Sequence, residues 1–281
     1  MILRARECWL RGADGALVHF ETRRAREGRG VCVTVHGMGE HLGKYAEWTG
    51  CVLSRGYHVS GHDQRGHGRT PGRRGDFDFE ALVDDLGRCV GVSADLYPGL
   101  PVFVLAHSLG GLVALAYAGL SPHPALAGMA LSAPLLAFAE RVPPWVEWGV
   151  RTLGRVAPRM PVPRRSDPDR LTRDPERLAA MRGDALRHRR ITPRAMLGTF
   201  TAMKEVRTTP EKVNVPLLFL VARADQVVSG ADALAYASFV ASRDVSVEQF
   251  PGAYHEILND LGRKAVYERI CRWFDDRCAP S

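Results

Sequence analysis

Residues 102–111 read Val-Phe-Val-Leu-Ala-His-Ser-Leu-Gly-Gly, and this stretch is the strongest indicator of the fold. Its first five residues, 102–106, are all apolar, which is typical of a strand buried in a parallel sheet. A sharp turn at residues 107–108 leads into the apolar run 109–120, whose length fits a helix. Small residues two positions before and two positions after Ser108 let the strand and the helix approach closely. The stretch therefore predicts a serine hydroxyl that projects from a tight turn between strand and helix.

Strand-like and helix-like segments alternate on both sides of this turn. The segments predicted as strands are residues 7–10, 16–22, 31–35, 57–60, 102–106, 126–131, 217–222 and 245–250. The segments predicted as helices are residues 45–53, 77–96, 109–120, 231–240 and 262–277. The first two strands are expected to form a hairpin. Such alternation predicts an α/β fold with a mostly parallel sheet of about eight strands, covered by helices on both faces.

One long segment interrupts the alternation. Residues 135–210 show no convincing strand pattern and are broken repeatedly by proline. Because a structureless loop of this length is improbable in a compact domain, we expect a helical cap inserted into a core made of residues 1–134 and 211–281. The residues expected to contact a substrate from the cap and its rim are Leu135, Phe138, Trp145, Trp148, Val227 and Val228. The alternative is a helix that only packs its apolar side chains onto the core.

The positive charge of the chain is concentrated in the same segment. Residues 141–194 contain 14 arginines, no lysine and six acidic residues, so this stretch carries +8 while the whole chain carries +7. Arginine together with tryptophan favours transient contact with an anionic membrane surface; a genome-wide arginine bias is the alternative explanation. The sequence has no helix-turn-helix, zinc-finger or aromatic RNA-binding motif, so nucleic acid is excluded as a partner.

Composition excludes several other classes of protein. The six cysteines are scattered without the spacing of a zinc site or a disulfide framework, so we expect structural thiols, no metal and no cofactor. The N-terminal residues lack the apolar stretch of a secretory signal, and no apolar run approaches the roughly 20 residues of a membrane span. We expect a cytoplasmic protein that makes peripheral contact with the inner membrane face.

A serine in such a turn acts as a nucleophile only with a base and an orienting acid. In this architecture the three residues follow the chain order serine, acid, histidine. Asp225 and His255 each follow the end of a predicted strand, and His255 is the only histidine after Asp225. Parallel sheets place their sites at this edge, so the sequence predicts a triad with Ser108 as nucleophile. Asp232 and Asp260 are weaker candidates for the acid because they lie at or within predicted helices.

An acyl-transfer site also needs donors for the oxyanion. We expect these donors to be the backbone amide of Leu109, at the start of the helix after the serine, and that of Met38, in the glycine loop after residues 31–35. His36 and His67 are interpreted as residues that pack these loops, because isolated loop histidines more often satisfy hydrogen bonds than act in catalysis.

Three of these segments resemble a known family. Residues 36–41 read His-Gly-Met-Gly-Glu-His, residues 106–111 read Ala-His-Ser-Leu-Gly-Gly, and residues 63–75 contain Arg-Gly-His-Gly. They look like the monoacylglycerol lipase and lysophospholipase branch of the α/β-hydrolases. The resemblance runs over nearly the whole chain and is weakest in residues 135–210. Ala106 stands where the family usually has glycine, and Thr70 where serine is common.

The resemblance implies an α/β-hydrolase fold and a serine ester hydrolase with a helical cap over an apolar acyl tunnel. Its triad carries over to Ser108, Asp225 and His255, and its oxyanion amides to Met38 and Leu109. The sequence thus favours a cofactor-free hydrolase of monoacylglycerols or related single-chain lipid esters. A lysophospholipase, a short-chain carboxylesterase and a cofactor-free haloperoxidase are alternatives, and an idle hydrolase-fold binding protein is the non-enzymatic one. A dehalogenase is disfavoured because its nucleophile would be aspartate.

Overall fold

The computed structural model describes residues 6–164 and 167–278. Its strands, numbered in chain order, are β1 (Arg6–Arg11), β2 (Leu17–Arg23), β3 (Gly30–Val35), β4 (Tyr57–His62), β5 (Val102–His107), β6 (Leu126–Ser132), β7 (Val162–Pro163), β8 (Arg190–Ile191), β9 (Leu217–Ala222) and β10 (Val245–Phe250). Its α-helices are α1 (Ala46–Ser54), α2 (Phe79–Leu96), α3 (Leu109–Ala118), α4 (Pro144–Val156), α5 (Pro175–Gly183), α6 (Pro193–Thr208), α7 (Gly230–Ala237) and α8 (Arg263–Asp275).

Eight of the strands form one sheet in the order β1-β2-β4-β3-β5-β6-β9-β10. β1 and β2 form an antiparallel hairpin, and β2 also pairs antiparallel with β4, whereas the other neighbours are parallel. Helices α1 and α8 pack together, and α2 packs against α3 and α6. The predicted α/β fold with a mostly parallel sheet of about eight strands is confirmed.

The central strands are buried along their whole length. Every residue of β3, β5 and β9 is buried, as expected for parallel strands covered by helices on both faces. Helix α8 contributes Phe274, whose ring stacks on Phe103 of β5 with a centroid distance of 4.5 Å. Continuous apolar runs in the sequence therefore become the centre of the sheet, and polar residues appear where the strands end.

The helices begin and end close to the predicted positions, and local capping explains the differences. Helix α2 begins at Phe79, two residues later than predicted, because the Asp78 side chain accepts a hydrogen bond from the Glu80 amide and caps the helix. Phe77 is buried but lies outside the helix. Its apolar side chain fits the helical pattern, so the predicted helix began two residues too early. Helix α3 ends at Ala118 with Gly119 as its C-cap.

The chain between β6 and β9 carries α4, α5 and α6. It also holds β7 and β8, which pair antiparallel through two residues each. The sequence predicted no strand in residues 135–210, and this prediction is wrong at β7 and β8. Strands of two residues, one of them containing Pro163, produce no detectable alternation of apolar and polar residues. Helix α6 contacts α2, α3 and α4. Within the described ranges, no helix has both the length and the apolar character needed to cross a bilayer.

Candidate active site

Ser108 lies in the turn between β5 and α3 with φ 52° and ψ −115°, a backbone conformation that is costly for any residue other than glycine. Its amide donates to the Ser132 carbonyl at 3.0 Å, and its carbonyl accepts from the Leu135 amide at 3.0 Å. The turn needs a glycine after it, since a Cβ added to Gly110 would be 2.6 Å from the carbonyl oxygen of Val35. The strand, turn and helix read from the sequence thus form a strained elbow.

The structure brings Ser108, His255 and Asp225 together at the carboxyl edge of the sheet. His255 follows β10 and lies with its Nε2 3.0 Å from the Oγ of Ser108. Its Nδ1 lies 2.8 Å from Oδ2 of Asp225, which follows β9. The side chains of His255 and Asp225 are only 5% and 2% exposed. A buried imidazole that bridges a hydroxyl and a carboxylate can take a proton from the hydroxyl and become a stabilised cation.

The carboxylate of Asp225 is held by its own turn. Oδ1 accepts hydrogen bonds from the amides of Val227 at 2.7 Å and Val228 at 3.0 Å. Burial acts to raise the pKa of Asp225, but the His255 ring and these two amides outweigh it and hold the pKa below its ordinary value. Val227 and Val228 were expected as substrate contacts, and their backbone role escaped the sequence reasoning because any residue type provides an amide.

The two expected oxyanion donors belong to segments that lie next to the serine. Leu109 is buried and opens α3, where the first amides of a helix have no partner within it. The loop that carries Met38 lies against the elbow, since a Cβ added to Gly37 would be 3.3 Å from the Cβ of Ser108. Met38 is half-buried at the end of β3.

His36 and His67 stabilise the neighbouring loops, in agreement with their interpretation from the sequence. The Nε2 of His36 accepts from the Gln64 amide at 2.9 Å, so its Nδ1 is assigned the proton and donates to the Gly37 carbonyl at 2.8 Å. His67 is fully buried, with Nδ1 2.9 Å from the Arg65 carbonyl. Neither ring contacts the triad through these bonds.

A buried charge cluster that the sequence reasoning missed lies beside His255. Lys44 donates to the carboxylates of both Glu40 and Glu256. Glu40 also accepts from the Gly37 amide at 3.2 Å, and His107 lies with Nε2 3.7 Å from Glu256. The glutamate at residue 40 and the lysine four residues later give the only local signal, because Glu256 is distant in sequence.

This cluster also brings together three side chains of metal-ligating type, with the ammonium of a lysine among them. Ligand atoms of Glu40, His107 and Glu256 lie within 4.8 Å of one another. The ammonium of Lys44 already supplies the positive charge between the two carboxylates. Burial acts to raise the pKa of Glu256, but Lys44 and His107 outweigh it and hold the pKa well below its ordinary value.

The remaining expected contacts occupy different environments. Leu135 is buried behind Ser108, and Phe138 packs edge-to-face on Phe200 of α6 with a centroid distance of 6.1 Å. Trp145 and Trp148 lie on α4 and are 74% and 70% exposed. The structure thus brings Leu135 close to the serine and leaves the two tryptophans facing solvent.

Comparison with known proteins identifies the family to which the chain belongs. The family model described as serine aminopeptidase, S33, matches residues 26–262. A monoacylglycerol lipase of Mycolicibacterium smegmatis is 34% identical over 250 residues, covering 87% of this chain and 88% of the relative. A phospholipase of Bacillus subtilis is 29% identical over 249 residues, covering 88% and 95%.

A solved structure gives the same result at the level of the fold. The crystal structure of a monoacylglycerol lipase from Paleococcus ferrophilus superposes with a TM-score of 0.85 at 28% identity, covering 92% of this chain and 99% of that one. The resemblance inferred from the three sequence segments is confirmed. The chain belongs to the serine aminopeptidase S33 family, within the monoacylglycerol lipase-like branch of carboxylic ester hydrolases with the α/β-hydrolase fold.

Proposed function

We propose that this protein hydrolyses single-chain lipid esters, monoacylglycerols foremost, with Ser108 as the nucleophile, His255 as the base and Asp225 as the orienting acid. The observation that carries the proposal is the unbroken hydrogen-bonded path from the Ser108 hydroxyl through His255 to Asp225. Relatives named as a monoacylglycerol lipase and a phospholipase support an ester of a single-chain or phosphorylated lipid as the substrate.

In the first half of the reaction, the Ser108 oxygen attacks the ester carbonyl while His255 Nε2 accepts the hydroxyl proton. The carbonyl oxygen becomes an oxyanion and takes hydrogen bonds from the amides of Met38 and Leu109. The imidazolium then gives its proton to the leaving glycerol oxygen as the ester C–O bond breaks. An acyl group remains bound to Ser108.

In the second half, His255 removes a proton from water, and the resulting hydroxide attacks the acyl carbonyl. Return of the proton to Ser108 releases a free fatty acid. Asp225 stabilises the imidazolium in both halves, and its own negative charge is secured by the two valine amides. The reaction needs only groups that this chain supplies and water.

Residues 135–210 form the cap of this enzyme, and residues 1–134 and 211–281 form its core. Two contacts support this division of roles. The His188 amide donates to the Gly39 carbonyl at 3.1 Å, beside Met38, and the Glu256 amide donates to the Leu171 carbonyl at 2.8 Å, next to His255. A segment that contacts both the loop of Met38 and the loop of His255 is well positioned to exclude water and to bind the acyl chain.

Helix α4 provides contact with an anionic membrane surface. None of its residues is buried, and its exposed tryptophans are three residues apart, so they share one face. Arg151 and Arg155 on the same helix are exposed. Tryptophan prefers the headgroup region of a bilayer, and arginine is attracted to anionic lipid. This arrangement suits an enzyme that takes a lipid from a membrane without residing in it.

Turnover of a substrate panel by wild type and the Ser108→Ala variant tests the proposal. The panel holds p-nitrophenyl butyrate and decanoate, a monoacylglycerol and a lysophosphatidylcholine, and labelling by a fluorophosphonate reports the nucleophile. We expect labelling of wild type only, and a rate loss of at least about 10³-fold in the variant. Ser242→Ala, at a serine that contacts Asp244, is the matched control.

The pattern of turnover separates the alternatives. Preference for monoacylglycerol supports the proposal, and hydrolysis of short esters alone would point to a short-chain carboxylesterase. Preference for the lysophospholipid would favour a lysophospholipase. No labelling and no turnover would favour the alternative of a binding protein that has the hydrolase fold but no catalytic activity.

A further inference from the structure

The guanidinium of Arg164 lies beside the loop that carries Met38. Arg164 follows β7, and its Nη2 donates to the Met38 carbonyl at 3.3 Å. Its Nε is buried and has no hydrogen-bond partner within residues 6–164 and 167–278. In those same ranges no acidic oxygen lies within ion-pair distance of Arg164, although the residue as a whole is only half-buried. Part of this charge is therefore desolvated, and part can still be reached.

The surroundings of Arg164 add positive charge. Burial and the nearby Arg187 and Arg189 lower the pKa of Arg164 to about 10, and Glu40 only partly opposes them. Glu40 is already engaged by Lys44 and by the Gly37 amide. A desolvated cation without a dedicated counterion is costly, so this position gains stability whenever an anion binds.

Two buried histidine nitrogens lie close to Arg164. The rings of His67 and His188 are 4.9 Å apart, and within the described part of the chain the Nε2 of each has no hydrogen-bond partner. The carbonyl of His188 also approaches Gly39 so closely that a Cβ there would be 2.4 Å away. Arg164 acts electrostatically on both rings and lowers their pKa values, after burial as the largest cause. Guanidinium and imidazole nitrogens thus gather against the loop that carries Met38.

We propose that Arg164 binds a phosphate group, namely the phosphorylated headgroup of a single-chain lipid ester whose carbonyl lies at Ser108. The proposal rests on the function given above and adds a phosphorylated headgroup to the unphosphorylated glycerol that the site accepts. A guanidinium can bind phosphate through two parallel hydrogen bonds. Arg187 and Arg189 add positive charge, which suits a phosphate better than a singly charged carboxylate. The contact of Arg164 with Met38 places the phosphate site next to the reacting ester. This proximity is required because one glycerol carries both the ester and the phosphate.

Substrate preference in the Arg164→Met variant tests the proposal. The measured quantity is the ratio of kcat/KM for lysophosphatidic acid to kcat/KM for a monoacylglycerol with the same acyl chain. We expect this ratio to fall about ten- to hundredfold, mainly through KM, because a charge-assisted hydrogen bond is lost. Arg164→Lys, which keeps the charge but not the fork, should give an intermediate ratio. The control is Arg243→Met, at an exposed arginine before β10, on the opposite edge of the sheet.

A binding measurement separates this proposal from the proposed function. The Ser108→Ala protein is titrated with glycerol 3-phosphate and with inorganic phosphate by calorimetry, with and without Arg164→Met. Binding of glycerol 3-phosphate that weakens in the double variant supports the site even if wild type hydrolyses no ester, an outcome that would refute the function alone.

Three outcomes would overturn the headgroup assignment. The first is an unchanged substrate ratio in Arg164→Met. The second is an equal loss on both lipids, which would make Arg164 a structural residue. The third is binding of inorganic phosphate as tight as that of glycerol 3-phosphate together with an unchanged ratio, which would identify free phosphate as the ligand.

Discussion

The carboxylate of Asp260 accepts a hydrogen bond from the Nε of Arg173 at 2.9 Å. The same carboxylate accepts from the amide of Tyr254, the residue before His255, at 3.0 Å, and from the Thr172 hydroxyl at 3.2 Å. Asp260 is completely buried. One side chain therefore connects the segment between β6 and β9 to the loop that carries His255.

Replacing Asp260 by asparagine should cost about 2 kcal/mol of unfolding free energy at pH 7. Burial acts to raise the pKa of Asp260, but the hydrogen bonds from Arg173 and the Tyr254 amide outweigh it and hold the pKa below its ordinary value of 3.8. A carboxylate whose pKa is lower in the folded state stabilises the fold at pH values above its pKa in the unfolded state. This contribution is lost as the pH falls through the pKa of the folded state. Urea unfolding should therefore show a constant difference between wild type and variant down to about pH 5 and a shrinking one below about pH 4.

The control for this experiment is Asp169→Asn. Asp169 pairs with Arg182 at 2.9 Å, and both side chains are exposed, so its loss should change the unfolding free energy by less than about 1 kcal/mol. A pH-independent difference for Asp260→Asn would contradict the assigned protonation.

Replacing Asp225 by asparagine should lower kcat for p-nitrophenyl butyrate by roughly 10³- to 10⁴-fold, because an amide no longer fixes the imidazole tautomer or stabilises its cation. Asp232→Asn is the control: Asp232 pairs with the Ser229 hydroxyl at 2.6 Å at the start of α7. Its turnover should remain within about twofold of wild type. Equal losses in the two variants would remove Asp225 from the triad.

Gly110→Ala should destabilise the protein by roughly 1–3 kcal/mol, because the new Cβ would be 2.6 Å from the Val35 carbonyl oxygen and 2.7 Å from that of His36. Gly149→Ala is the matched control, since a Cβ there meets nothing within 4 Å and the residue lies within α4. Alanine is the better helix former, so this control should gain up to about 1 kcal/mol. Thermal unfolding measures both, and a fully stable Gly110→Ala protein would disprove the tight elbow.

The double variant Trp145→Ser/Trp148→Ser should bind vesicles of phosphatidylglycerol at least about tenfold more weakly than wild type, since each tryptophan loses apolar burial in the headgroup region. Co-sedimentation measures the binding, and circular dichroism verifies the fold. Trp9→Ser is the control, because Trp9 is 51% exposed on the edge strand β1. Equal binding by wild type and the double variant would exclude α4 as the contact.

The fold could be predicted from sequence where local patterns and tertiary packing agree. The apolar run before Ser108 is buried on both faces of the sheet, so composition alone marks it as a central strand. Phe77 shows the limit at a helix start, because its apolar side chain fits the helical period while the Asp78 cap decides the boundary. Strands β7 and β8 have two residues each, which is too short for a periodic pattern in the sequence. Their pairing depends on contacts that only the folded chain makes.

The site could be predicted to the extent that residue type carries the chemistry. Ser108, Asp225 and His255 follow strand ends in the expected order, and the structure brings their side chains into contact. The groups that hold them could not be found in this way. Lys44 and Glu256 are 212 residues apart. The amides that support the carboxylate of Asp225 belong to Val227 and Val228, which the sequence indicated only as substrate contacts.

The hydrogen bond between Ser108 and His255 closes a loop of 147 residues. Its base follows β10, which lies at the end of the sheet order and pairs with β9. Contacts of such separation form late in folding, and ribosomes produce the N-terminal part of a chain first. A nascent chain therefore contains Ser108 well before His255 is made. The hydrogen bond between them forms only after synthesis has passed residue 255 and β10 has paired with β9, so an incomplete chain lacks the contact on which the proposed ester hydrolysis depends.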